Sequence, residues 1–542
     1  MSKITNYLNE HMAGDVVADD NARHQFSTDG SVLSLTPSLV VHPRVIDDVR
    51  KIARFTWRLA ERGQVLPLTA RGNGTDPTGA AIGRGTILSF PAHMAQIMEF
   101  DLKYRMVRVQ PGITLEALSQ AVATQGMRLP VDGGNSRVAT VGGAIANNLP
   151  GRQFAKYGSM RDWVDKLEVV LANGEIIQTG KLSRRELSEK KGLQTLEGEI
   201  YRSIDSLIED NPDIVSALAD SSSLDASCYA LDLVRGDDGS FDLTPLFLGS
   251  QGTLGIVTQA ILRLVDLPSE DAIIVAALTG DENLSDLTNR LLELEPTALE
   301  FIDGETLSLA RELTGYSSWG RVTKSLPYAL LFIEFDGKHV NRNLRRAGKI
   351  MESVGIMEAM IATDPADIES AMTIYDSVAS ITNHNDSGAA AIPLSTDLAV
   401  PSENVFDAAD EIRKALEHNH VQGGVWGNLG SGLISVRPIV NLASLGQRQI
   451  VFRLMDRLAE IVDRYNGSLT GCNGSGRLLT PWTRTQHDKE TAEVMASVKK
   501  IFDPYHILNT DVQSDKLTRN EVLAMLRQDY RQGRFVQYNL RG

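Results

Sequence analysis

A chain of 542 residues is long enough for two or three domains with well-filled cores, and 42% hydrophobic with 23% charged residues is the composition of an ordinary globular protein in water. The formal net charge of -15 argues against nucleic acid or an anionic membrane as the main partner, because phosphate-rich surfaces are bound by basic faces. No run approaches the roughly 20 apolar residues that span a bilayer, and the N-terminus lacks the basic start and apolar stretch of a secretory signal, so the expected location is the cytoplasm, peripheral attachment to the inner face of a membrane included.

In chain order, residues 64–68 and 86–90 read as short strands. Between them lies Arg71-Gly72-Asn73-Gly74-Thr75-Asp76-Pro77-Thr78-Gly79. Glycines at this spacing can aim successive backbone N–H groups at an anion such as a diphosphate, with Thr75 and Thr78 adding hydroxyls; taken alone, the segment reads first as a tight turn. Its strand–loop–strand setting differs from the strand, GxGxxG, helix order of a nicotinamide site. A strand follows at 106–109 and a helix at 115–125, and strand–helix alternation up to about residue 264 indicates an α+β or α/β unit. Residues 181–191 and 200–220, with a break at Pro212 and a loop at Ser221-Ser222-Ser223, read as a surface insertion. A boundary at Asp266-Leu267-Pro268 precedes a strand at 272–278, a helix at 283–293, a strand at 328–335 and a helix at 405–420, a pattern that suits a sheet covered by helices on one face. A helix at 491–502 is stopped by Asp503-Pro504, and a polar tail runs from Ser514. The division expected from this pass is 1–267, 268–490 and 491–542.

Three further clusters carry a family resemblance: Val109-Gln110-Pro111-Gly112 followed by Pro130 to Asn147, including Thr140-Val141-Gly142-Gly143 and Ala146-Asn147; Lys156-Tyr157-Gly158; and Gly249-Ser250-Gln251-Gly252-Thr253-Leu254-Gly255-Ile256-Val257-Thr258. With the glycine loop, their order and spacing resemble those of the FAD-linked oxidases related to vanillyl-alcohol oxidase and p-cresol methylhydroxylase (PCMH), over most of the chain. The resemblance implies an α+β fold: a two-lobed PCMH-type FAD-binding domain, plus an α/β cap domain whose antiparallel sheet is covered by helices. It implies FAD as cofactor, bound without a covalent link because 71–79 holds neither His nor Cys. By the same resemblance the FAD contacts are Arg71, Gly72, Asn73, Gly74, Thr75, Asp76 and Gly79; Pro111, Gly112, Asp132, Thr140, Gly142, Gly143, Ala146 and Asn147; Gly249, Gly252, Thr253, Gly255, Ile256 and Val257; and Asn509, in the segment Ile507-Leu508-Asn509 expected to close over the flavin. Glycines there let backbone lie against a flat ring or a phosphate, and threonines supply small donors.

Asp397-Leu398-Ala399-Val400-Pro401-Ser402 and Val436-Arg437-Pro438 resemble the branch that oxidises D-lactate, glycolate or D-2-hydroxyglutarate. That branch supplies a base and a metal through HxGDGNxH and GEHGxG. The corresponding residues here are Asn428 to Ser435 and Gly471-Cys472-Asn473-Gly474-Ser475-Gly476, so the histidines and the acid are replaced by Asn428, Ser435, Cys472 and Asn473. Amides and hydroxyls are poor ligands for Zn²⁺ or Mn²⁺, and asparagine is no general base near neutral pH, so no family-type metal is expected. Val378 stands where an arginine commonly forks onto the substrate carboxylate. The candidate catalytic residues are then Asn473, Cys472, Asn428 and Tyr375; Cys472 reads first as a small buried hydrophobe and second as a catalytic group, His384 reads as a loop residue, and His418 and His420 read as helix-end groups. Arg437 and Arg477 are candidates for an anionic group or for ion pairs.

The leading expectation is an FAD-dependent oxidoreductase passing hydride from a small hydroxy acid or alcohol to flavin N5, its substrate site rebuilt without metal. The alternative is a non-catalytic or partner-reduced flavoprotein subunit of a larger complex. With only Cys228 and Cys472 and no CxxC, no iron–sulfur cluster is encoded, so the electron acceptor would be separate, an iron–sulfur or quinone-linked protein.

Overall fold

Residues 2–131, 138–219, 224–382, 385–386, 388–514 and 516–530 are described in the computed structural model. The first sheet has the strand order Asp15–Val17, Leu39–His42, Thr86–Ser89, Leu68–Arg71, the last three parallel. Helix Ile46–Ala60 makes the crossover from Leu39–His42 to Leu68–Arg71, burying Val49, Ile52, Ala53, Thr56 and Ala60 at helical spacing. The strand expected over 64–68 starts only at Leu68. Pro67 has no N–H to donate to a ladder, and Leu68 N donates to Ile507 O while Asn509 N donates to Leu68 O, so the returning C-terminal segment lies along this strand.

The second sheet is antiparallel, ordered Ile97–Asp101, Met106–Val109, Ile256–Arg263, Val164–Val170, Ile176–Gln178. Helix Leu196–Asp210, expected within a surface insertion, instead buries Ile200, Tyr201 and Ile204 in the core behind this sheet, with Val498 and Phe502 of helix Lys489–Phe502. Its apolar residues recur at helical spacing beneath an acidic exterior, which is how a core-facing helix reads as surface.

The third sheet, of nine strands, is antiparallel and includes Asp271–Leu278, Ala329–Asp336, Ala298–Asp303, Gly423–Asn428 and Leu433–Val440 as consecutive neighbours except at its edges. Asp271–Leu278 and Ala329–Asp336 match the expected strands, and Leu284–Leu292, Val405–His418 and Lys489–Phe502 the expected helices. Helices cover both faces around Asp271–Leu278, not one. Ala272, Ile274, Ala276 and Leu278 enter a core with Leu287, Ala347 and Ile412, whereas Ile273, Val275 and Ala277 enter another with Ala371 and Ile374. A strand apolar at both parities has no face for water.

The segment read as a polar tail also folds inward: helix Arg519–Met525 and its flanks bury Leu517, Val522, Met525, Leu526 and Tyr530. Leu526 bridges Leu33, and Arg527 N donates to Val32 O at 2.8 Å. The nine-stranded sheet is stapled to the rest by Asp336, which pairs with Arg128 and Lys156 and accepts from Tyr157 Oη at 2.8 Å. Burial pushes this carboxyl up, but Lys156, Tyr157 and Arg128 outweigh it and hold it below its ordinary range. No described helix is long and apolar enough to cross a membrane.

Candidate functional site

The carboxyl end of the parallel strand Leu68–Arg71 opens into the glycine loop, the usual side of such a sheet for a ligand. One buried cation sets the loop's shape. Arg71 is 5% exposed; its Nη1 donates to Ala81 O at 3.1 Å, and its guanidinium lies 5.2 Å from the Phe26 ring centre. Gly74 has φ +70°, and a Cβ there would stand 2.2 Å from Arg71 Nη2, so both the backbone and the guanidinium require glycine. Asp76 accepts from Thr78 N at 3.0 Å, Ala80 N at 2.7 Å and Asn147 Nδ2 at 3.0 Å, tying the loop to helix Val141–Ala146. Thr140 caps that helix by accepting from Gly143 N at 3.2 Å, and a Cβ on Gly72 would lie 2.1 Å from the same hydroxyl oxygen.

Arg71 faces two carboxylates, Asp29 and Asp76. Burial and then the Asp76 charge push the Asp29 carboxyl up to about 7, against the Ser31 hydrogen bonds and the Arg71 charge. The unfolded group titrates near 3.8, so between these values the folded chain keeps a proton that the unfolded chain has lost, and stability falls as pH rises through the window. Asp29→Asn is expected to flatten the pH dependence of the urea midpoint between about pH 5 and about pH 8. An unchanged slope would show that Asp29 does not titrate there.

Gln251, with φ +52°, joins three segments. Its Nε2 lies 3.0 Å from Thr78 Oγ1, 3.1 Å from Asn147 Oδ1 and 2.7 Å from Asn473 O, while its Oε1 accepts from Gly476 N at 2.8 Å. The glycine loop, the Thr140-capped helix and the 471–476 loop thereby become walls of one cavity of about 1100 Å³.

The nine-stranded sheet supplies the opposite wall. Asn428 Nδ2 donates to Arg152 O at 2.8 Å and its Oδ1 accepts from Ser431 N at 3.0 Å. Ser435 Oγ donates to Thr396 O at 2.6 Å, and Asn473 Nδ2 to Thr396 Oγ1 at 3.2 Å. Buried Asp397 fixes the 470–473 loop, accepting from Cys472 N at 2.8 Å, Asn473 N at 2.7 Å and Thr470 Oγ1 at 3.1 Å. Tyr375 Oη donates to Glu300 Oε1 at 3.0 Å, and Arg152 pairs with Glu334 beside them.

Residues 37–180 match the FAD binding domain, and residues 267–512 match the C-terminal domain of FAD linked oxidases. The chain belongs to the FAD-linked oxidases. The chain is 26% identical over 525 residues to a D-2-hydroxyglutarate dehydrogenase of Haemophilus influenzae, a match that covers 92% of the chain but 50% of that protein, so the chain spans about half the length of this relative. It is 26% identical over 500 residues to the glycolate oxidase subunit GlcD of Bacillus subtilis, covering 90% of the chain and 91% of that protein. Two solved structures share its fold: a 4-ethylphenol oxidase from Gulosibacter chungangensis, with TM-score 0.67 and 15% identity over 95% of the chain and 97% of that one, and p-cresol methylhydroxylase with substrate bound, with TM-score 0.66 and 12% identity over 94% of the chain and 96% of that one.

The residues lining the cavity fit FAD. At Gly252, φ +72°, a Cβ would meet only Ala70 Cβ at 3.9 Å, so its absence leaves flat open wall, and Gly143 has equally little beside it apart from Thr140 Oγ1 at 3.3 Å. Of the expected FAD contacts, Arg71, Gly72, Asn73, Gly74, Thr75, Asp76, Pro111, Thr140, Gly142, Gly143, Ala146, Asn147, Gly252, Gly255 and Val257 line the cavity. Six do not, and each has work elsewhere. Gly79 O accepts from Arg477, Gly112 N donates to Met94 O, and Gly249 N donates to Ile145 O. Thr253 Oγ1 is 2.8 Å from Tyr229 Oη, Ile256 is core, and Asn509 bonds Ala80 O, Gln251 O and Arg477. Asp132 and His384 lie outside the described residues.

Among the catalytic candidates, Asn428, Asn473 and Tyr375 line the cavity and Cys472 does not. With its N–H held by Asp397, Cys472 packs against Ala399 and Leu433, and burial pushes its thiol up, away from the thiolate a nucleophile needs. Val378 is core, and Arg477, fully buried, is spent on Gly79 O, Asn509 and Thr510 O. A family-type metal does not fit: the Asn428 amide is engaged at both ends, the Ser435 hydroxyl donates to a carbonyl, and the Cys472 sulfur is away from the cavity. Among the described residues, one group of three metal-capable side chains occurs, Asp225, Cys228 and His487, and none of them lines the cavity. Gln251, Arg152, Glu300, Thr396, Arg527 and Tyr530 were not expected from the sequence; only Gln251, set among glycines, carried a local signal.

Proposed function

We propose that this chain is an FAD-dependent oxidoreductase acting on a CH–OH donor, with a metal-free substrate site between Tyr375, Glu300, Thr396, Asn428, Ser435 and Asn473. The observation that carries the reading is the continuity of one cavity from the glycine loop and Gly143 to this polar wall, so a donor resting on the wall shares its space with the cofactor. Bound FAD supplies hydride acceptance. Arg71, Thr140 and the neighbouring backbone hold it, Gln251 keeps the walls together, and the hydroxyl and amides of Ser435, Thr396 and Asn473 orient the donor's oxygen. The Tyr375–Glu300 pair, 3.0 Å apart, is assigned to receive the donor's hydroxyl proton.

The subunit alternative has a specific observation on its side: the polar groups that replace the family's histidines are hydrogen-bonded within the protein, and the relative GlcD is by name an oxidase subunit. An anaerobic screen of the FAD-loaded protein, reading loss of flavin absorbance, separates the two. The expectation is rapid bleaching by one group of small alcohols or hydroxy acids, with D-lactate, glycolate and D-2-hydroxyglutarate slow, and at least tenfold slower bleaching in Tyr375→Phe. Flavin that stays oxidised against the whole panel yet is reduced by a co-purifying protein would establish the subunit reading instead.

A further inference from the structure

Two of the cavity's arginines are neutralised and two are not. Arg71 lies between Asp29 and Asp76, and Arg152 pairs with Glu334. Arg437 and Arg527 also line the cavity, yet neither has an ion-pair partner among the described residues. Among the described residues, Arg437 Nε, Arg527 Nε and Tyr530 Oη are buried there without a hydrogen-bond partner. They come from two distant parts of the chain. Arg437 is on strand Leu433–Val440, two residues past Ser435 and so on the same face of the sheet. Arg527 and Tyr530 follow helix Arg519–Met525, brought in by the Leu526–Leu33 bridge, with the Arg527 guanidinium 5.1 Å from the Tyr530 ring centre.

Buried donors are ordinarily satisfied, and a buried cation ordinarily has a counter-charge. Here the first rule is broken three times, at Arg437, Arg527 and Tyr530, and the second twice, at the two arginines, around one space. Burial keeps the Tyr530 hydroxyl protonated, pushed up to about 12, so at neutral pH it is a donor and not an anion. The facing carboxylate, Asp29, is already engaged by Ser31 and Ala81 N. Two guanidinium forks and a hydroxyl with no internal partner are the chemistry of an oxyanion site.

We propose that Arg437, Arg527 and Tyr530 form a clamp for the carboxylate or phosphate of the donor substrate, taking over the anchoring that Val378 cannot supply. The clamp rests on the reading of this cavity as a flavin and substrate site. Its place favours the donor over the cofactor's own diphosphate: Arg437 shares its strand face with Ser435, whereas the Gly72–Thr75 and Thr140–Gly143 walls offer uncharged donors. The second domain thus contributes one arginine, and the C-terminal segment contributes the other and the hydroxyl.

The test is calorimetric titration of the purified 542-residue chain with oxalate and with inorganic phosphate, a readout that requires neither turnover nor bound flavin. Arg437→Gln and Arg527→Gln are expected to weaken binding of the preferred anion about 10- to 100-fold, and Tyr530→Phe about 3- to 10-fold. Arg437→Lys keeps the charge without the fork and should fall between parent and glutamine variant; it also serves if the glutamine variant folds poorly. Arg457→Gln, on the outer surface of helix Leu445–Arg464, should match the parent. FAD retention, read as flavin fluorescence released on dilution, should be unchanged in all of them. Anion affinity within twofold of the parent across the variants, or no anion binding by the parent, overturns the clamp. So does a loss of FAD retention that parallels the loss of anion affinity, since the cations would then belong to the diphosphate. Protein that never holds flavin refutes the oxidoreductase reading, while the same titrations still decide whether the clamp exists.

Discussion

Gly143→Val is expected to empty this protein of flavin without unfolding it. Gly143 lies in helix Val141–Ala146 and lines the cavity, outside the left-handed backbone region, so valine is conformationally admissible there. Its Cβ would meet only Thr140 Oγ1, at 3.3 Å, so the two methyl groups would enter the cavity proposed to hold the cofactor. Overpacking of this size costs about 1–3 kcal/mol, roughly 5- to 150-fold in affinity. The ratio of flavin to protein absorbance after purification should drop accordingly while the circular dichroism stays that of the parent. Gly192→Ala, outside the cavity at the end of helix Arg184–Lys191, should keep its flavin. Full flavin content in Gly143→Val would mean that this wall does not face the cofactor.

Gln251→Leu should act on stability as well as on binding. The buried amide touches Thr78, Asn147, Asn473 and Gly476, and leucine of similar size would leave Asn473 O and Gly476 N without those partners. Each buried group left unsatisfied costs about 1–3 kcal/mol, so a loss of about 3–5 kcal/mol is expected from the urea unfolding midpoint. FAD affinity should fall with it, since the amide holds three walls in register. A loss under about 1 kcal/mol would show that water or rearrangement replaces the amide without penalty.

What could be read from the sequence, and what could not, divides by the range of the interaction. The glycine loop was legible because Gly74 must be glycine for reasons within four residues of it: a positive φ and the Arg71 guanidinium beneath. Helices such as Val405–His418 announced themselves by local periodicity. Gln251 shows no role within its own cluster, because its partners lie up to 225 residues away. Cys472 reads first as a small buried hydrophobe, which it is, and its motif position keeps a catalytic role open until Asp397, 75 residues upstream, is seen to hold the loop. The C-terminal segment read as polar because Arg519, Asn520, Glu521, Arg527, Gln528 and Asp529 hide the buried Val522, Met525 and Tyr530 between them. Fully apolar Asp271–Leu278 likewise gave a strand but not the number of its covered faces.

The knot around Asn509 bears on how the protein is made. Thr69, at the mouth of the glycine loop, meets Asn509 across 440 residues of chain, and Leu33 meets Leu526 across still more. At about 5–20 residues per second of synthesis, the first strands wait roughly 20–90 s for the segment that seals them. Until then the edge of Leu68–Arg71 is bare, an open template for mispairing with another nascent chain. Cofactor loading is therefore expected only once Asn509 has been made, and truncation anywhere before Asn509 should yield aggregates, not a smaller flavoprotein.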